Sequence, residues 1–435
     1  MNIAVIGTGY VGTTTSVALA LSGHTVFAID HDEEKIEQLK TASLPFYEED
    51  IEELLKKLTV TGKLSFTTRL DECIDKCSIL FITVGTPSLL GGQADLSYVE
   101  EVARAIGNLM NEYKVIVMKS TVPVGTSAKI KNIIRNELTK RNLKIPFDLI
   151  SNPEFLREGM ALYDALHPER IVIGCETREA QEMMKQLYNN VSSEILFTTP
   201  INAEMIKYAS NAFLATKISF INELARFCER IGANVGEVAK GMGLDSRIGP
   251  QFLQAGIGYG GSCFPKDISA LMALASENNI TLNILQAVTH VNQTQTDWFL
   301  EKIKKALGTL SGKRIAILGL TFKPNTDDIR EAPSLKMIDY LLQNNATITA
   351  YDPQGTEHVK KIYPSIIYTS NPMEALNEAD AVLILTEWKE IIEIDWKTAI
   401  NIISSPFVFD GRNVLNASDM KKLGYHYAGV GMPDI

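Results

Sequence analysis

Asn2-Ile3-Ala4-Val5-Ile6-Gly7-Thr8-Gly9-Tyr10-Val11-Gly12 carries an apolar run straight into a glycine turn. Ile3 to Ile6 has the continuous apolar character of a strand buried on both faces of a parallel sheet. Gly7, Gly9 and Gly12 then form a G-x-G-x-x-G where that strand gives way to a helix, with Tyr10 and Val11 at its variable positions. At such a turn the second glycine lets a pyrophosphate approach backbone N–H groups at the helix N-terminus. Asp30 ends the next apolar run, Thr25 to Ile29, eighteen residues after Gly12. A carboxylate there accepts hydrogen bonds from a ribose diol and repels a 2′-phosphate. No arginine follows it, so the expected cofactor is NAD rather than NADP.

Outward from this stretch the pattern repeats. Ile79 to Val84, Val115 to Met118 and Arg170 to Ile173 are further apolar runs, with helical stretches such as Asp32 to Leu39 and Tyr98 to Asn111 between them. Strands alternating with helices predict right-handed crossovers and a doubly wound parallel sheet. The rhythm stops near Thr198. Asn202 to Arg230 runs for 29 residues without Gly or Pro, and Met205, Tyr208, Ala209, Ala212, Phe213, Ile218, Ile221, Leu224 and Phe227 recur at helical spacing. That predicts a helix of about 43 Å, long enough to link domains and to supply a subunit interface. Pro265 to Glu277 and Leu282 to Ala306 read as further helices. After Ser311-Gly312 the strands return, at Arg314 to Leu318, Ala346 to Tyr351, Ala381 to Leu385 and Phe407 to Phe409. Leu318-Gly319-Leu320-Thr321 stands at the matching turn without the full fingerprint, so a second NAD is not expected there. The expected fold class is α/β: two Rossmann-like doubly wound domains joined by a long central helix and a small helical domain. The expected division is 1–199, 200–308 and 309–435.

Composition fits this plan and excludes others. At roughly 150 residues per domain, 435 residues with 45% hydrophobic content suggest about three domains. The 42 basic and 52 acidic residues leave a net charge of −10, without a basic run. That argues against nucleic acid or an anionic membrane as partner, so an anionic ligand needs a locally positive site. Five scattered cysteines, an odd number, suggest free thiols in a reducing, cytoplasmic setting. The start of the chain runs straight into an apolar strand with no basic n-region or small-residue cleavage site, which argues against a signal peptide, and no run of about 18 apolar residues suggests a membrane span. Cys73 and Cys77, four apart, are expected on a polar helix as surface or half-buried thiols.

Gly258-Tyr259-Gly260-Gly261-Ser262-Cys263-Phe264-Pro265-Lys266-Asp267 is the stretch richest in chemistry. Its glycines suggest a flexible loop able to wrap a ligand. Pro265 suits the first turn of a helix, which sets Cys263 just before a positive dipole end, and Lys266 adds charge that favours thiolate. Asp267 follows Cys263 by four residues, so both can face one pocket. Lys207 and Asn211 repeat that spacing on the long helix, either as polar guests of a site or as its solvent face. Glu154 and Glu158, four apart in Asn152-Pro153-Glu154-Phe155-Leu156-Arg157-Glu158-Gly159, read as base and cofactor contact, or as helix caps. Thr321-Phe322-Lys323-Pro324 and Asp327 to Glu331 form either a phosphate-facing crevice or a solvated loop.

Taken with Lys119-Ser120-Thr121-Val122-Pro123-Val124-Gly125-Thr126, Pro168 to Gly174 and Phe409-Asp410-Gly411-Arg412, these motifs span nearly the whole chain. In that order they resemble the UDP-glucose 6-dehydrogenase family, within the wider nucleotide-sugar dehydrogenases. Ser262 stands where the N-acetylmannosamine branch usually has a histidine. The resemblance implies a double, NAD-dependent oxidation of C6 of UDP-glucose to the carboxylate, with no metal required. Asp267 would be the first base, through a water, with Lys207 and Asn211 steadying the oxyanion. Cys263 would trap the aldehyde, and Glu154 with Thr121 would direct the hydrolytic water. Lys35, Thr86, Thr121, Glu158, Lys266 and Arg330 would contact NAD. Glu154, Phe155, Leu156, Lys207, Asn211, Phe252, Leu253, Gln254, Ala255, Gly256, Gly260, Lys323 and Arg412 would contact the nucleotide sugar, with Arg247 reaching in from a partner subunit. The long helix resembles the family's dimer core, so a homodimer is expected.

Three rivals stand beside this reading. A sister enzyme would apply the same chemistry to UDP-N-acetylmannosamine or GDP-mannose. A single-oxidation 3-hydroxyacid or 6-phosphogluconate dehydrogenase has no need of Cys263 or of a third domain. A non-catalytic NAD sensor has no need of the cysteine, lysine, asparagine and aspartate set.

Overall fold

The computed structural model describes residues 1–433, which fall into two compact units: 1–210 with 269–280, and 211–268 with 281 onward. The first is built on an eight-stranded sheet. Its strands are β1 (Asn2–Ile6), β2 (Thr25–Ile29), β3 (Leu64–Thr67), β4 (Ile79–Ile82), β5 (Lys114–Met118), β6 (Phe147–Ser151), β7 (Arg170–Gly174) and β8 (Glu194–Thr198). They lie in the order β3-β2-β1-β4-β5-β6-β7-β8. Ile3 pairs with both Val26 and Ile79, so β1 sits between β2 and β4. The winding reverses there, which is where such sheets open a crevice for a ligand.

The continuous apolar runs have a direct cause. Ile3 and Val5 point into one buried layer, while Ala4 and Ile6 point into the layer on the opposite face. A strand covered by helices on both sides needs an apolar residue at every position.

One strand departs from the expected series. β7 runs antiparallel to β6, with Ser151 opposite Gly174, and β8 then pairs parallel to β7. Residues 152–169 contain only the short helix Ala161–Leu166 rather than a full crossover helix, and the chain turns back alongside β6. Cys73 and Cys77 also differ from expectation. Each directly follows one of two consecutive 3-10 turns, Leu70–Glu72 and Ile74–Lys76, and both are buried in the second apolar layer. Burial pushes their thiols up to about 11 and about 12 respectively.

The second unit carries a six-stranded, wholly parallel sheet: β9 (Arg314–Leu318), β10 (Thr347–Tyr351), β11 (Ile367–Tyr368), β12 (Ala381–Ile384), β13 (Phe407–Asp410) and β14 (His426–Gly429). Their order, β11-β10-β9-β12-β13-β14, repeats the winding of the first six strands of the other sheet. Ile221, Ala225 and Cys228 share a core with Phe299, Leu300 and Ile303 of helix Asn283–Leu307 and with Ile315 and Ile317 of β9.

The long helix spans Pro200–Ile231, 32 residues and about 48 Å. It begins two residues earlier than its apolar periodicity suggests, because proline is well suited to a first helical turn. Glu204, Lys207, Tyr208, Asn211, Ala212, Ala215 and Ser219 form its buried stripe, whereas Phe213, Phe220 and Phe227 are exposed. Among the described residues no helix is long and apolar enough to cross a membrane.

Candidate active site

The turn after β1 has the shape of a pyrophosphate cradle. Gly7 adopts φ +102°, and a Cβ there would stand 2.8 Å from the Val84 nitrogen. A Cβ on Gly12 would meet the Gly7 carbonyl oxygen at 1.8 Å, so only glycine lets this helix start so close to the strand. Gly9 is the opposite case, with nothing within 4 Å of an added Cβ. Two glycines close the turn and the middle one leaves it open, as a bound diphosphate requires.

Asp30 Oδ2 accepts from the Thr8 amide at 2.8 Å and from Lys35 Nζ at 3.1 Å. Burial raises its pKa, but the Thr8 and Asp32 amides and the Lys35 charge outweigh that and hold it below the usual aspartate value. Asp30 is therefore an anion at neutral pH, fitted to a ribose diol. These residues fit NAD. Tyr10 has a further role that its place in the fingerprint does not reveal. Its hydroxyl donates to Glu48, a buried carboxylate that also accepts from the Gly159 amide at 2.8 Å and the Leu162 amide at 3.2 Å.

The loops after β5 and β6 converge in the same unit. Thr86 Oγ1 donates to the Thr121 carbonyl at 2.8 Å. Glu204, on the long helix, accepts from the Gly125 amide at 2.6 Å and the Ser127 amide at 2.9 Å, and so fixes the start of helix Thr126–Lys140. Glu154 Oε1 lies 2.9 Å from Lys207 Nζ, and its Oε2 accepts from the Leu156 amide at 2.6 Å. The side chains of Glu154 and Lys207 are only 7% and 5% exposed, which rules out the solvent-face reading of Lys207. Burial pushes Glu154 up, yet the Lys207 charge and hydrogen bond, the Leu156 amide and the Lys119 charge together hold it below its ordinary 4.5. Phe155 lies between two cations, with Arg170 at 3.9 Å and Lys207 at 5.3 Å from its ring centre.

The second unit holds the cysteine. Helix Phe264–Glu277 starts directly after Cys263, and the Asp267 amide donates to the Cys263 carbonyl at 2.9 Å. Cys263 is half-buried, and Ser262 Oγ lies 3.5 Å from its sulfur. Asp267 is buried, with Lys266 Nζ 2.7 Å from one carboxylate oxygen and Asn211 Nδ2 2.6 Å from the other. Asn211 is thus no solvent-facing residue either. Lys266 is committed to Asp267, a partner its sequence position does not disclose.

The glycine loop ahead of Cys263 is fastened rather than flexible, contrary to its composition. A Cβ on Gly260 would stand 2.1 Å from the Glu331 carbonyl oxygen, and one on Gly261, at φ +84°, would stand 2.7 Å from the Phe322 ring. Asn292 accepts from the Tyr259 amide at 2.9 Å and donates to the Tyr259 carbonyl at 3.0 Å. Gln295 donates to the Gly256 carbonyl, and Asn222 accepts from the Gly256 amide, both at 2.8 Å. The glycines serve close packing.

Upstream, Phe252 has φ +63°, a strained setting for a bulky side chain. Leu253 and Ala255 are buried, so only their backbone can face a ligand, while Gln254 donates to the Arg412 carbonyl at 3.0 Å. Arg412 spends its guanidinium on three carbonyls, those of Leu385, Gly258 and Phe322, at 2.8, 3.0 and 3.2 Å. Lys323 Nζ stands 5.6 Å from the Phe322 ring centre, and Arg330 pairs with Asp328 at 2.7 Å. Arg247 pairs with Asp245 on the surface of this chain, its side chain 86% exposed. At the turn after β9, Asp352 accepts from the Leu320 amide at 2.6 Å and from Trp388 Nε1 at 3.1 Å. It repeats the Asp30–Thr8 arrangement, and the indole lies against it.

Three family models cover most of the chain. The NAD-binding, central and UDP-binding domains of the UDP-glucose/GDP-mannose dehydrogenase family match residues 1–192, 201–294 and 316–417. The chain belongs to the UDP-glucose/GDP-mannose dehydrogenase family. Like other members of this dehydrogenase family it is an NAD-dependent oxidoreductase with a nucleotide-sugar substrate. It is similar to the UDP-glucose 6-dehydrogenase TuaD of Bacillus subtilis, 43% identical across 100% of this chain and 94% of that one. A UDP-glucose 6-dehydrogenase of Rhizobium meliloti is also 43% identical, over 100% of both chains. Among solved structures, a UDP-glucose dehydrogenase from Pyrobaculum islandicum is 35% identical at a TM-score of 0.91, covering 99% of this chain and 98% of its own. A UDP-D-ManNAc dehydrogenase from Pyrococcus horikoshii is 27% identical at a TM-score of 0.88, covering 100% of both chains.

Proposed function

We propose that the protein oxidises C6 of UDP-glucose twice, from alcohol to carboxylate, through a covalent adduct on Cys263. The observation that carries this is Cys263 at the start of helix Phe264–Glu277 with Asp267 one turn on, its carboxylate gripped by Asn211. Full-length relatives named UDP-glucose 6-dehydrogenase, at 41 to 44% identity, support the sugar. Bound NAD supplies the hydride acceptor, one equivalent per oxidation. In the first step Asp267 takes the C6 hydroxyl proton through a water, and the Lys207 ammonium and Asn211 amide steady the oxyanion. Cys263 Sγ then adds to the aldehyde carbon as a thiohemiacetal, which makes that carbon a hydride donor again. Once the thioester has formed, a water oxygen adds to its carbon and the C–S bond breaks. Cys263 leaves as thiolate, and the water's proton passes to Glu154 while Thr121 holds the attacking oxygen. The chain-wide arrangement we assign is 1–199 for NAD, 200–308 for the cysteine chemistry and 309–435 for the UDP moiety, in a cytoplasmic enzyme.

The test is the NADH yield per UDP-glucose in a reaction run to completion, read at 340 nm. Two equivalents are expected. A yield of one would exclude the double oxidation, and no NADH with UDP-glucose but two with UDP-N-acetylmannosamine or GDP-mannose would move the substrate to that sugar.

The assembly we infer is a homodimer through the long helix. Phe213, Phe220 and Phe227 recur every seven residues along one face, and all three are exposed on the single chain. Three aromatics in line are too much apolar surface to leave in water on a helix of this length. Phe220→Glu is expected to shift the sedimenting species from dimer to monomer at micromolar concentration. A native protein that sediments as a monomer would overturn the inference.

A further inference from the structure

Lys119 is absent from every role assigned above, yet it lies at the junction of the two loops that the hydrolytic step uses. It follows β5 directly, two residues before Thr121, and its Nζ donates to Asn152 Oδ1 at 3.3 Å. Asn152 is the residue after β6, two before Glu154, and the strand ends are in register, with Met118 opposite Ser151. The Asn152 amide is fully committed. Its oxygen also accepts from Tyr188 at 2.7 Å, and its nitrogen donates to the Val172 carbonyl at 2.8 Å. The base of the Pro153–Glu154 turn therefore has one orientation, and Lys119 is the link that ties it to the Thr121 loop.

We propose that Lys119 is a positioning residue for thioester hydrolysis, holding the Glu154 carboxylate and the Thr121 hydroxyl at one fixed spacing around the attacking water. This rests on the reading of Glu154 and Thr121 given under the proposed function. Charge supports the geometry. Lys119 and Lys207 both act on Glu154, and both ammoniums favour its carboxylate form. Burial lowers the Lys119 ammonium to about 8, against the upward pull of Glu154 and with the downward push of Lys207. The remaining titratable neighbour, Tyr188, is held neutral by its own burial. Raising the pH through 8 therefore removes the Lys119 charge while Glu154 stays ionised.

The experiment is intact-mass spectrometry of enzyme quenched during turnover with UDP-glucose and NAD, beside steady-state kinetics. Glu154→Gln is the control for the underlying reading and is expected to accumulate an acyl adduct on Cys263. Lys119→Met is expected to accumulate the same adduct, with kcat lowered about 10²-fold and KM for UDP-glucose within about two-fold of native. Lys119→Arg should restore part of kcat and remove the alkaline fall expected of native turnover near pH 8. An adduct in Glu154→Gln but none in Lys119→Met or Lys119→Gln would overturn the role of Lys119 alone. No adduct in Glu154→Gln would overturn the reading beneath it. Lys119→Gln keeps a hydrogen-bond donor without charge, so it also serves if the methionine variant does not fold.

Discussion

Cys263→Ser is expected to make no detectable UDP-glucuronate, a loss on the order of 10³-fold or more in the rate of acid formation. Serine keeps the size and the hydrogen-bonding ability of the side chain, so the loop and the start of helix Phe264–Glu277 should survive. What disappears is the sulfur nucleophile. A hydroxyl at this position is a far weaker nucleophile than sulfur. Product analysis by anion-exchange chromatography gives the answer directly. A Cys263→Ser enzyme that still forms the acid at more than about a tenth of the native rate would remove the covalent route.

Lys207→Met is the second substitution with a large expected effect, and it acts on both stability and turnover. The pair Lys207–Glu154 is buried at both ends, so removing the ammonium leaves a carboxylate in an apolar setting. Breaking such a pair from one side typically costs about 3–5 kcal/mol. Loss of the cation that steadies the oxyanion is expected to lower kcat by about 10²–10³-fold. The stability effect has a pH signature. Glu154 is held below its ordinary 4.5 in the folded protein, so its contribution is fully present above that value and fades as pH falls through the folded one. The gap between native and Lys207→Met, measured by denaturant titration, should therefore be wide at pH 7 and narrow on acidification. Lys207→Met combined with Glu154→Gln should recover much of the loss, since neither charge is then left unpaired. A gap that is the same at pH 4 and pH 7 would sink the assignment.

Much of the site was legible before any coordinates. Gly7, Gly9, Gly12 and Asp30 form a local device, since strand, turn and helix lie within thirty residues and backbone sterics dictate where glycine must stand. Cys263, Pro265 and Asp267 are local in the same sense. Other features were invisible for an equally physical reason. Lys207 and Asn211 read as well for a solvent face as for a site, because a helix offers a residue to both sides until its neighbours are known. Glu48 and Glu204 carry no motif of their own, and the motifs that hold Asn152 and Lys119 do not say what those two side chains bond. Their partners lie far away in the chain: Glu48 bonds Gly159, Glu204 bonds Ser127, and Lys119 bonds Asn152. Composition even misled at Gly260 and Gly261, where glycine signals close packing against Glu331 and Phe322 rather than freedom.

The sequence by itself determined the class of fold and the cofactor, and it singled out the candidate nucleophile. Buried parallel strands must be apolar throughout, a pyrophosphate turn needs glycine, and a cysteine placed before a proline-led helix meets a positive dipole; each is a short-range constraint written in consecutive residues. Tertiary structure alone decided that β7 runs antiparallel, that Cys73 and Cys77 are buried, and which carboxylates are paired and which cap a helix. Those outcomes depend on desolvation and on contacts between residues distant in the chain, and neither is set until the sheets have closed over them.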